Sequence, residues 1–233
     1  MTAGSYPEKQ SARETRATRA RYDRLAALYD RLVGSDGRGS AGSQWRARLC
    51  AAASGRVLEL GMGTGANLPY YPPRVELTGV DISPRMLSFA RQRAERLGRP
   101  VNLVVADAQD LPFPDQTFDA VVSSFFLCTV PDPGAALAQA WRVLRPGGEL
   151  LLLEHERSSR PLLGRLLDLV APLAVRLVGD HPNRRTRLEA ARAGFVILEE
   201  VPLWLDVVYF VRACRPRAPG VATGSPIRAS CTG

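Results

Sequence analysis

A glycine-rich loop is the first part of the sequence whose residue types and spacing suggest chemistry. Within VLELGMGTGANLPYYP (57–72), an apolar run is followed by Gly61, Gly63 and Gly65 at alternate positions. Glycines in such a loop let the backbone approach a ligand closely at the start of a helix. Gly61, Gly63 and Ala66 also satisfy the G-x-G-x-x-G/A spacing of dinucleotide sites. The loop alone therefore predicts a nucleotide or nucleoside ligand and leaves its identity open.

Two carboxylates follow the loop, each at the end of a predicted strand. Asp81 ends the run ELTGVD, where a carboxylate can accept both hydroxyls of a ribose, whether in NAD or in an adenosine. Asp107 ends the next strand, where it can accept the amino group of an adenine. Ser83 and Pro84 are typical of a helix start, and they place Met86 toward the predicted adenine site. Packing in the core is the alternative role for Met86.

Five ordered segments carry the strongest family signal in the chain. LELGMGTG, GVDIS, ADAQDLPF, FDAVVSSF and LRPGG together resemble class I S-adenosylmethionine-dependent methyltransferases. The resemblance covers about residues 45–210 and includes a Pro-Gly-Gly turn at 146–148 that a dehydrogenase would not explain. It implies S-adenosylmethionine as the cofactor and the following cofactor-binding residues: Glu59, Gly61, Gly63, Thr64, Gly65, Asn67, Asp81, Ile82, Met86, Asp107, Ala108, Gln109, Ser124 and Phe125.

The resemblance also implies roles along this set. Glu59 would brace the glycine loop, and the loop glycines would line the methionine part of the cofactor. Asp81 would hold the ribose, and Asp107 would lie at the adenine edge. Ser124 and Phe125 would flank the sulfonium. Because this cofactor carries no phosphate, the loop would serve close backbone approach rather than anion binding.

The methyl acceptor depends on other parts of the chain, because an activated methyl donor leaves the protein mainly to align and desolvate the acceptor. YDRLAALYD, GMGTGANLPYYP, GVDISPRML and VPDP resemble bacterial phospholipid N-methyltransferases most closely. That resemblance implies methylation of phosphatidylethanolamine toward phosphatidylcholine. YDRLAALYD also resembles ubiquinone and menaquinone methyltransferases, and LCTV, LLEHE and TRLEAARAGF resemble membrane-associated thiol methyltransferases. A thiol or a quinone therefore stays open as the acceptor.

Three residues are candidates for the catalytic work on an amine, which must lose a proton before it attacks. Tyr22 and Tyr29 lie seven residues apart on one face of a predicted helix, and in the phospholipid enzymes such tyrosines close over the cofactor. Anchoring a lid is their alternative role. His155 follows the fifth predicted strand, at the edge where ligands bind in open α/β sheets. The candidates for binding a lipid phosphate are Arg157, Arg184, Arg185 and Arg187.

The charge of the chain favours an anionic partner. The net charge is +8, although a GC-rich genome would produce a similar excess of arginine. The sequence has no zinc-finger or RNA-recognition signature and no base-methylating Asn-Pro-Pro-Tyr-type motif, so nucleic acid is not an expected partner. A basic amphipathic helix from about Arg13, with Tyr22, Leu25, Leu28, Tyr29 and Leu32 on one face, indicates either a lid or a contact with an anionic membrane. A regulatory or scaffold protein that only binds the cofactor is the non-enzymatic alternative.

The apolar run at 162–178 is interrupted by charges and by Pro172, which argues against a membrane-spanning helix. With no apolar signal-peptide core at the N-terminus, these features predict a cytoplasmic protein that associates peripherally with the membrane. The four cysteines and two histidines lack metal-ligand spacing, so no metal site is expected. No feature of the sequence indicates an oligomeric state.

Alternating apolar runs and helical patterns predict an α/β fold of the Rossmann-like type. We expect a seven-stranded, mostly parallel sheet with an antiparallel last strand, helices on both faces and an N-terminal helical lid. The last strand should be antiparallel because only residues 202–204 separate it from the strand before. The predicted organisation is an N-terminal basic helix and loop (1–43), a methyltransferase domain (44–213) with a cap-like insertion at about 156–192, and a disordered tail (214–233).

Overall fold

A seven-stranded sheet forms the centre of the protein. The computed structural model describes residues 6–33, 42–177 and 179–217, with side chains described from Arg13 onward except at positions 32, 33 and 177. The strands are β1 (Arg56–Leu60), β2 (Glu76–Asp81), β3 (Asn102–Val105), β4 (Phe118–Ser124), β5 (Leu144–His155), β6 (Val196–Leu203) and β7 (Val208–Cys214). Their order is β3-β2-β1-β4-β5-β7-β6.

The directions of the strands confirm the predicted fold class. β1 to β5 run parallel, and β7 pairs antiparallel with both β5 and β6. The strand order reverses between β1 and β4. In open α/β sheets, ligands bind beyond the carboxyl ends of the strands at such a reversal.

Helices cover both faces of the sheet, as predicted. They are α1 (Tyr6–Val33), α2 (Ser43–Ala51), α3 (Pro84–Arg96), α4 (Pro133–Val143), α5 (Pro161–Leu177) and α6 (Thr186–Arg192). The predicted start of α3 is confirmed, since the Ser83 hydroxyl accepts a hydrogen bond from the Met86 amide at 3.0 Å. Asp132 caps α4 in the same way, accepting from the Ala135 amide at 2.9 Å.

The central strands explain why the sheet needs cover on both sides. In β4, Val121 packs into one apolar cluster and Val122 into the other. In β5, Leu152 and Leu151 divide between the same two clusters, and all four side chains are buried. Because successive side chains of a strand point to opposite faces, an uninterrupted apolar run requires a core on each face.

Helix α1 lies against α3 through polar contacts. The Asp23 carboxylate accepts a hydrogen bond from the Ser83 hydroxyl at 2.6 Å, and Asp30 pairs with the buried Arg93 guanidinium at 2.6 Å. Leu28, which was predicted to share one face with Tyr22 and Tyr29, has 54% of its surface exposed. Ala26, between the two tyrosines, is the residue that is fully buried.

The ends of the chain differ in detail from the predicted elements. α1 begins at Tyr6, earlier than the expected start near Arg13. The last strand runs from Val208 to Cys214 rather than over 205–212, because residues 204–206 form a turn in which Trp204, Leu205 and Asp206 all have positive φ. Residues 34–41 of the predicted loop and residues 218–233 of the predicted tail lie outside the described residues.

Within residues 6–33, 42–177 and 179–217, none of the helices combines the length and the apolar character needed to span a bilayer.

Candidate active site

A pocket opens at the carboxyl ends of the parallel strands, where the strand order reverses. Thr15, Thr18, Tyr22 and Tyr29 of α1 form one wall. Most of the predicted cofactor-binding residues form the others: Gly61, Gly63, Asp81, Ile82, Met86, Asp107, Ala108, Gln109, Ser124 and Phe125.

The glycine loop forms the floor of the pocket. Gly61 has a φ of +66°, and a Cβ there would lie 2.1 Å from the Phe126 ring. Gly63 has a φ of +55°, and the nearest atom to a Cβ there would be 3.9 Å away. A side chain at Gly61 is therefore excluded by the protein itself, whereas at Gly63 it would occupy space that the ligand can use.

Asp81 is held at the end of β2 by two backbone amides. Its Oδ2 accepts from the Gly63 amide at 2.9 Å, and its Oδ1 accepts from the Ser83 amide at 2.8 Å. Each carboxylate oxygen has a second acceptor position, so both can still receive a hydroxyl from the ligand. Burial raises the pKa of Asp81 to about 6.

Asp107 connects the adenine side of the pocket to α1. One of its oxygens accepts from the Gln109 amide at 2.9 Å, and the other accepts from the Thr15 hydroxyl at 3.1 Å. The Gln109 side chain in turn accepts from the Asp132 amide at 3.0 Å. The carboxylate and the helix that covers the pocket are thus fixed relative to each other.

Four predicted cofactor residues, Glu59, Thr64, Gly65 and Asn67, are not part of the pocket wall. Glu59 is buried. Its oxygens accept hydrogen bonds from the side-chain amide of Asn67 at 2.9 Å and from the Tyr71 hydroxyl at 2.8 Å. Burial raises the pKa of Glu59 to about 7. These contacts put Glu59 in the position from which it can brace the loop.

Arg46 in α2 is a site residue that the sequence did not reveal. Its guanidinium donates to the Asn67 side chain at 2.8 Å and to the Ser124 hydroxyl at 3.0 Å, and it lies 5.0 Å from the centre of the Phe125 ring. It therefore links the glycine loop to the end of β4. No motif surrounds this arginine, so only the tertiary structure identifies it.

The loop after β4 is set in a strained conformation beside the pocket. Phe125 has a φ of +52°, which is uncommon for a bulky residue. Its amide donates to the Leu153 carbonyl at 2.8 Å, and the amides of Phe126 and Leu127 donate to the Glu154 carboxylate at 3.1 Å. Glu154 also accepts from the Ser123 hydroxyl at 2.7 Å. This buried carboxylate holds the turn that presents Phe125 to the pocket.

The three predicted catalytic residues occupy two places. Tyr22 and Tyr29 line the pocket, and burial raises the pKa of both hydroxyls. His155 lies outside the pocket wall, with its ring centre 4.9 Å from that of Phe125. Its Nδ1 is 3.4 Å from an Asp180 oxygen. The acid–base role of His155 stays a prediction.

The four arginines predicted to bind phosphate do not line the pocket. Arg157 pairs with Asp168 at 2.8 Å, Arg187 pairs with Glu156 at 3.0 Å, and the half-buried Arg184 donates to the carbonyls of Leu127 and Val130. Arg185 directly precedes α6. The structure does not gather these side chains into one anion site, and their substrate role stays a prediction.

Comparison with known proteins identifies the family. Residues 58–152 match the family model described as a methyltransferase domain. The chain is 34% identical to a demethylmenaquinone methyltransferase of Clavibacter sepedonicus over 205 residues, covering 82% of this chain and 81% of the relative. It is 46% identical to a phosphatidylethanolamine N-methyltransferase of Cereibacter sphaeroides over 114 residues, which span 48% of this chain and 56% of that relative's length.

A solved structure shares the fold over most of the chain. It is a methyltransferase of Thermotoga maritima described as a "possible histamine N-methyltransferase", with a TM-score of 0.64, 25% identity and coverage of 84% of this chain and 99% of the other. The protein therefore belongs to the class I S-adenosylmethionine-dependent methyltransferases. Its cofactor is S-adenosylmethionine, and the glycine floor and the buried Asp81 carboxylate fit that nucleoside.

Proposed function

We propose that this methyltransferase acts at a membrane surface and methylates the amine of phosphatidylethanolamine in steps toward phosphatidylcholine. The name of the Cereibacter sphaeroides relative supports the acceptor. The observation that carries a lipid acceptor is the outer face of α5, which is apolar, exposed and close in the chain to the pocket edge.

The outer face of α5 presents a continuous stripe of large apolar side chains. At about 100° per residue, the members of the stripe project within an arc of roughly 100°. Gly164 and Ala171, on the opposite side of the helix, are buried. The exposed fractions are 84% for Leu162, 53% for Leu166, 77% for Leu169, 41% for Val170 and 60% for Leu173.

Such a stripe is unfavourable in water and favourable at the surface of a bilayer. Each fully inserted leucine would contribute about 1.5–3 kcal/mol. Arg165 and Arg176 border the stripe on one side, where each can add about 1 kcal/mol by attraction to anionic lipid. This pattern of apolar face and basic edge is that of helices that lie in a membrane interface.

Both ends of α5 adjoin the acceptor side of the pocket. The helix begins shortly after His155, whose ring packs on Phe125 of the pocket wall. After the helix, the His181 amide donates to the Cys128 carbonyl at 2.9 Å, and Arg184 donates to the Val130 carbonyl at 2.6 Å. A lipid headgroup at the level of α5 would therefore lie beside the wall that is predicted to flank the methyl group.

The turn between β6 and β7 extends the same surface. Asp206 accepts hydrogen bonds from Ser158 and Ser159, which directly precede α5. The turn exposes 43% of Trp204 and 59% of Leu205. Tryptophan is enriched where protein meets the headgroup region of a bilayer. On this proposal, the cytoplasmic leaflet, which is anionic, is the surface that the protein binds.

The pocket tyrosines can orient an amine. S-adenosylmethionine supplies an activated methyl group, so the protein has to align a neutral amine and exclude water. Burial raises the pKa of Tyr22 and Tyr29, so both hydroxyls stay protonated near neutral pH. Their oxygens can accept N–H hydrogen bonds and leave the nitrogen lone pair free to attack. α1 covers this part of the pocket and limits the access of water.

A demethylated menaquinone is the second candidate acceptor. The demethylmenaquinone methyltransferases match more of this chain than the phosphatidylethanolamine enzyme does, 82% for the Clavibacter sepedonicus protein against 48%. The prenyl tail of a demethylated menaquinone also resides in the membrane, so the α5 surface could serve either acceptor. C-methylation would place carbon rather than nitrogen beside the two tyrosines.

One assay separates the candidates. The purified protein is incubated with radiolabelled S-adenosylmethionine and, in parallel, vesicles of phosphatidylethanolamine with an anionic lipid, vesicles with a demethylated menaquinone, or a small thiol. We expect label in phosphatidylethanolamine. Label in the quinone or the thiol, with none in the phospholipid, would reject the proposed acceptor. If the activity with short-chain, monomeric acceptors equals the activity with vesicles, the proposal that the enzyme acts at a membrane surface is rejected.

A further inference from the structure

We propose that Cys128, His155 and Asp180 bind a divalent transition metal, with Zn²⁺ the best match. The three residues come from the loop after β4, the end of β5 and the segment after α5. They are far apart in the sequence, and the fold brings them together next to the acceptor side of the pocket. This inference does not depend on which acceptor is methylated.

The distances suit a single metal ion. One ligand atom from each residue lies within 4.8 Å of the others. The Nδ1 of His155 and an oxygen of Asp180 are 3.4 Å apart, which is long for a hydrogen bond between these groups. A tetrahedral site with metal–ligand bonds of about 2.1 Å places neighbouring ligand atoms about 3.4 Å apart.

Unpartnered polar atoms provide a second, independent observation. The Nδ1 of His155 and the Oδ1 of Asp180 are both buried, and no hydrogen bond of standard geometry satisfies either atom in the described structure, the 3.4 Å contact of Nδ1 with the other Asp180 oxygen included. Buried polar atoms are nearly always satisfied, and an unsatisfied one calls for a specific explanation such as an ion. A cation bound between the His155 Nδ1, the Asp180 carboxylate and the buried Cys128 thiol would explain both unsatisfied atoms.

The donor set selects the kind of metal. A thiolate, an imidazole and a carboxylate suit Zn²⁺ and neighbouring transition metals, whereas Mg²⁺ and Ca²⁺ prefer oxygen ligands alone. Nearby charged groups do not complete the set. Glu154 is occupied by Ser123 and two backbone amides, and the Arg184 guanidinium by two carbonyls. Three protein ligands would leave a fourth position for water or another small ligand.

The proposed metal would tie the acceptor wall to the membrane-facing segment. Cys128 directly precedes Thr129, which lines the pocket, and Asp180 lies close to the end of α5. Binding by Nδ1 also gives His155 a role as a ligand, which excludes the use of that nitrogen in proton transfer. The metal would thus hold together three segments that the backbone connects only over long distances.

Metal binding can be measured without any methyl acceptor. Untagged full-length protein is freed of metal with a chelator, dialysed and titrated with Zn²⁺ or Co²⁺. We expect one metal per chain by mass spectrometry of the metal content, and a thiolate-to-Co²⁺ charge-transfer band in the near ultraviolet. Cys128→Ser should remove that band, and Asp180→Asn should weaken binding by about tenfold or more.

Two residues provide matched controls. Cys50 is also a buried free thiol, but it lies in α2 away from the cluster, and His181 follows Asp180 directly without belonging to the cluster. Cys50→Ser and His181→Gln should keep both the stoichiometry and the band. Absence of stoichiometric binding by the folded wild-type protein would overturn the proposal. So would a wild-type Co²⁺ spectrum without a thiolate band, or equal loss of binding in the Cys50→Ser control.

Discussion

The two sides of the pocket are built in opposite ways. On the cofactor side, Asp81, Asp107 and Glu59 are each held by hydrogen bonds from neighbouring groups. On the acceptor side, α5 turns its leucines outward, and only Gly164 and Ala171 of the described helix residues are buried. The predicted donor site is built from groups within the described chain, whereas the proposed acceptor side presents an apolar surface that the described residues do not cover.

This difference indicates where the specificity of the protein arises. A buried hydrogen-bond network recognises one ligand and tolerates little change. An exposed apolar helix favours any apolar environment, such as the interior of a bilayer, and does not select an individual molecule, because apolar burial is non-directional. Changes on the cofactor side should therefore abolish binding of S-adenosylmethionine, and changes on α5 should alter the location of the protein without altering its cofactor.

The largest effect is expected from Asp81→Ala. Losing hydrogen bonds from a charged acceptor costs about 1.5–3 kcal/mol each, so two ribose contacts correspond to at least about a 100-fold loss of S-adenosylmethionine affinity. Isothermal titration calorimetry measures it, with circular dichroism to verify folding. Asp115→Ala is the matched control, since Asp115 is exposed and pairs with Arg142 outside the pocket. Retained affinity in Asp81→Ala would refute the ribose role.

The double substitution Leu166→Asp with Leu169→Asp should detach the protein from vesicles. Losing two partly inserted leucines and adding two charges should weaken binding to anionic vesicles by about 50-fold, at about 1.5 kcal/mol or less per side chain. Cofactor affinity should not change. Vesicle sedimentation gives the result, and Leu198→Asp is the control because this leucine is also exposed, at 43%, but lies in β6. Equal losses in both variants would reject α5 as the contact.

Lowering the pH should weaken the binding of S-adenosylmethionine through Asp81. The carboxylate of Asp81 has a pKa of about 6 in the free protein, so below pH 6 a proton must leave before the ribose binds. We expect about a tenfold loss of affinity from pH 7 to pH 5. Because this pKa lies above the ordinary value of 3.8, the ionised group costs the free protein stability above pH 6, and that cost disappears toward pH 4. Calorimetry should find no such slope in Asp81→Asn.

The smallest effect is expected from the basic edge of α5. Arg165→Ala should weaken vesicle binding by about fivefold, since one arginine near an anionic surface contributes about 1 kcal/mol. The loss should shrink as salt is added, because the attraction is screened. Arg74→Ala, an exposed arginine before β2, should bind vesicles like the wild type. A loss that is independent of salt would show that Arg165 acts through packing instead.

The sequence predicted which residues gather on the cofactor side of the pocket because local motifs encode them. Asp81 and Asp107 each end a strand within a recognisable segment, and strand ends meet at one edge of a parallel sheet. Arg46 had no such context, because its contacts with Asn67 and Ser124 exist only after folding. Asp180 was missed for the same reason, since 25 positions separate it from His155 along the chain.

The acceptor side could be predicted only in part. The apolar run at 162–178 was visible in the sequence, but its periodicity does not tell whether the apolar face meets the core or the outside. The structure decides this, with Ala171 inward and Leu169 outward. The same ambiguity applied to the apolar face of α1, on which Leu28 is exposed. Hydrophobic pattern identifies an apolar face, and only the tertiary structure reveals its partner.

The position of α1 also has a consequence for the speed of turnover. Thr15, Tyr22 and Tyr29 form a wall of the pocket, and the bonds of Asp23 and Asp30 to the start and the body of α3 hold that wall in place. We expect exchange of spent for fresh cofactor to disturb at least part of this helix. In kinetic terms, α1 would then act as a gate in series with the chemical step, and its rate of opening would set an upper limit on kcat.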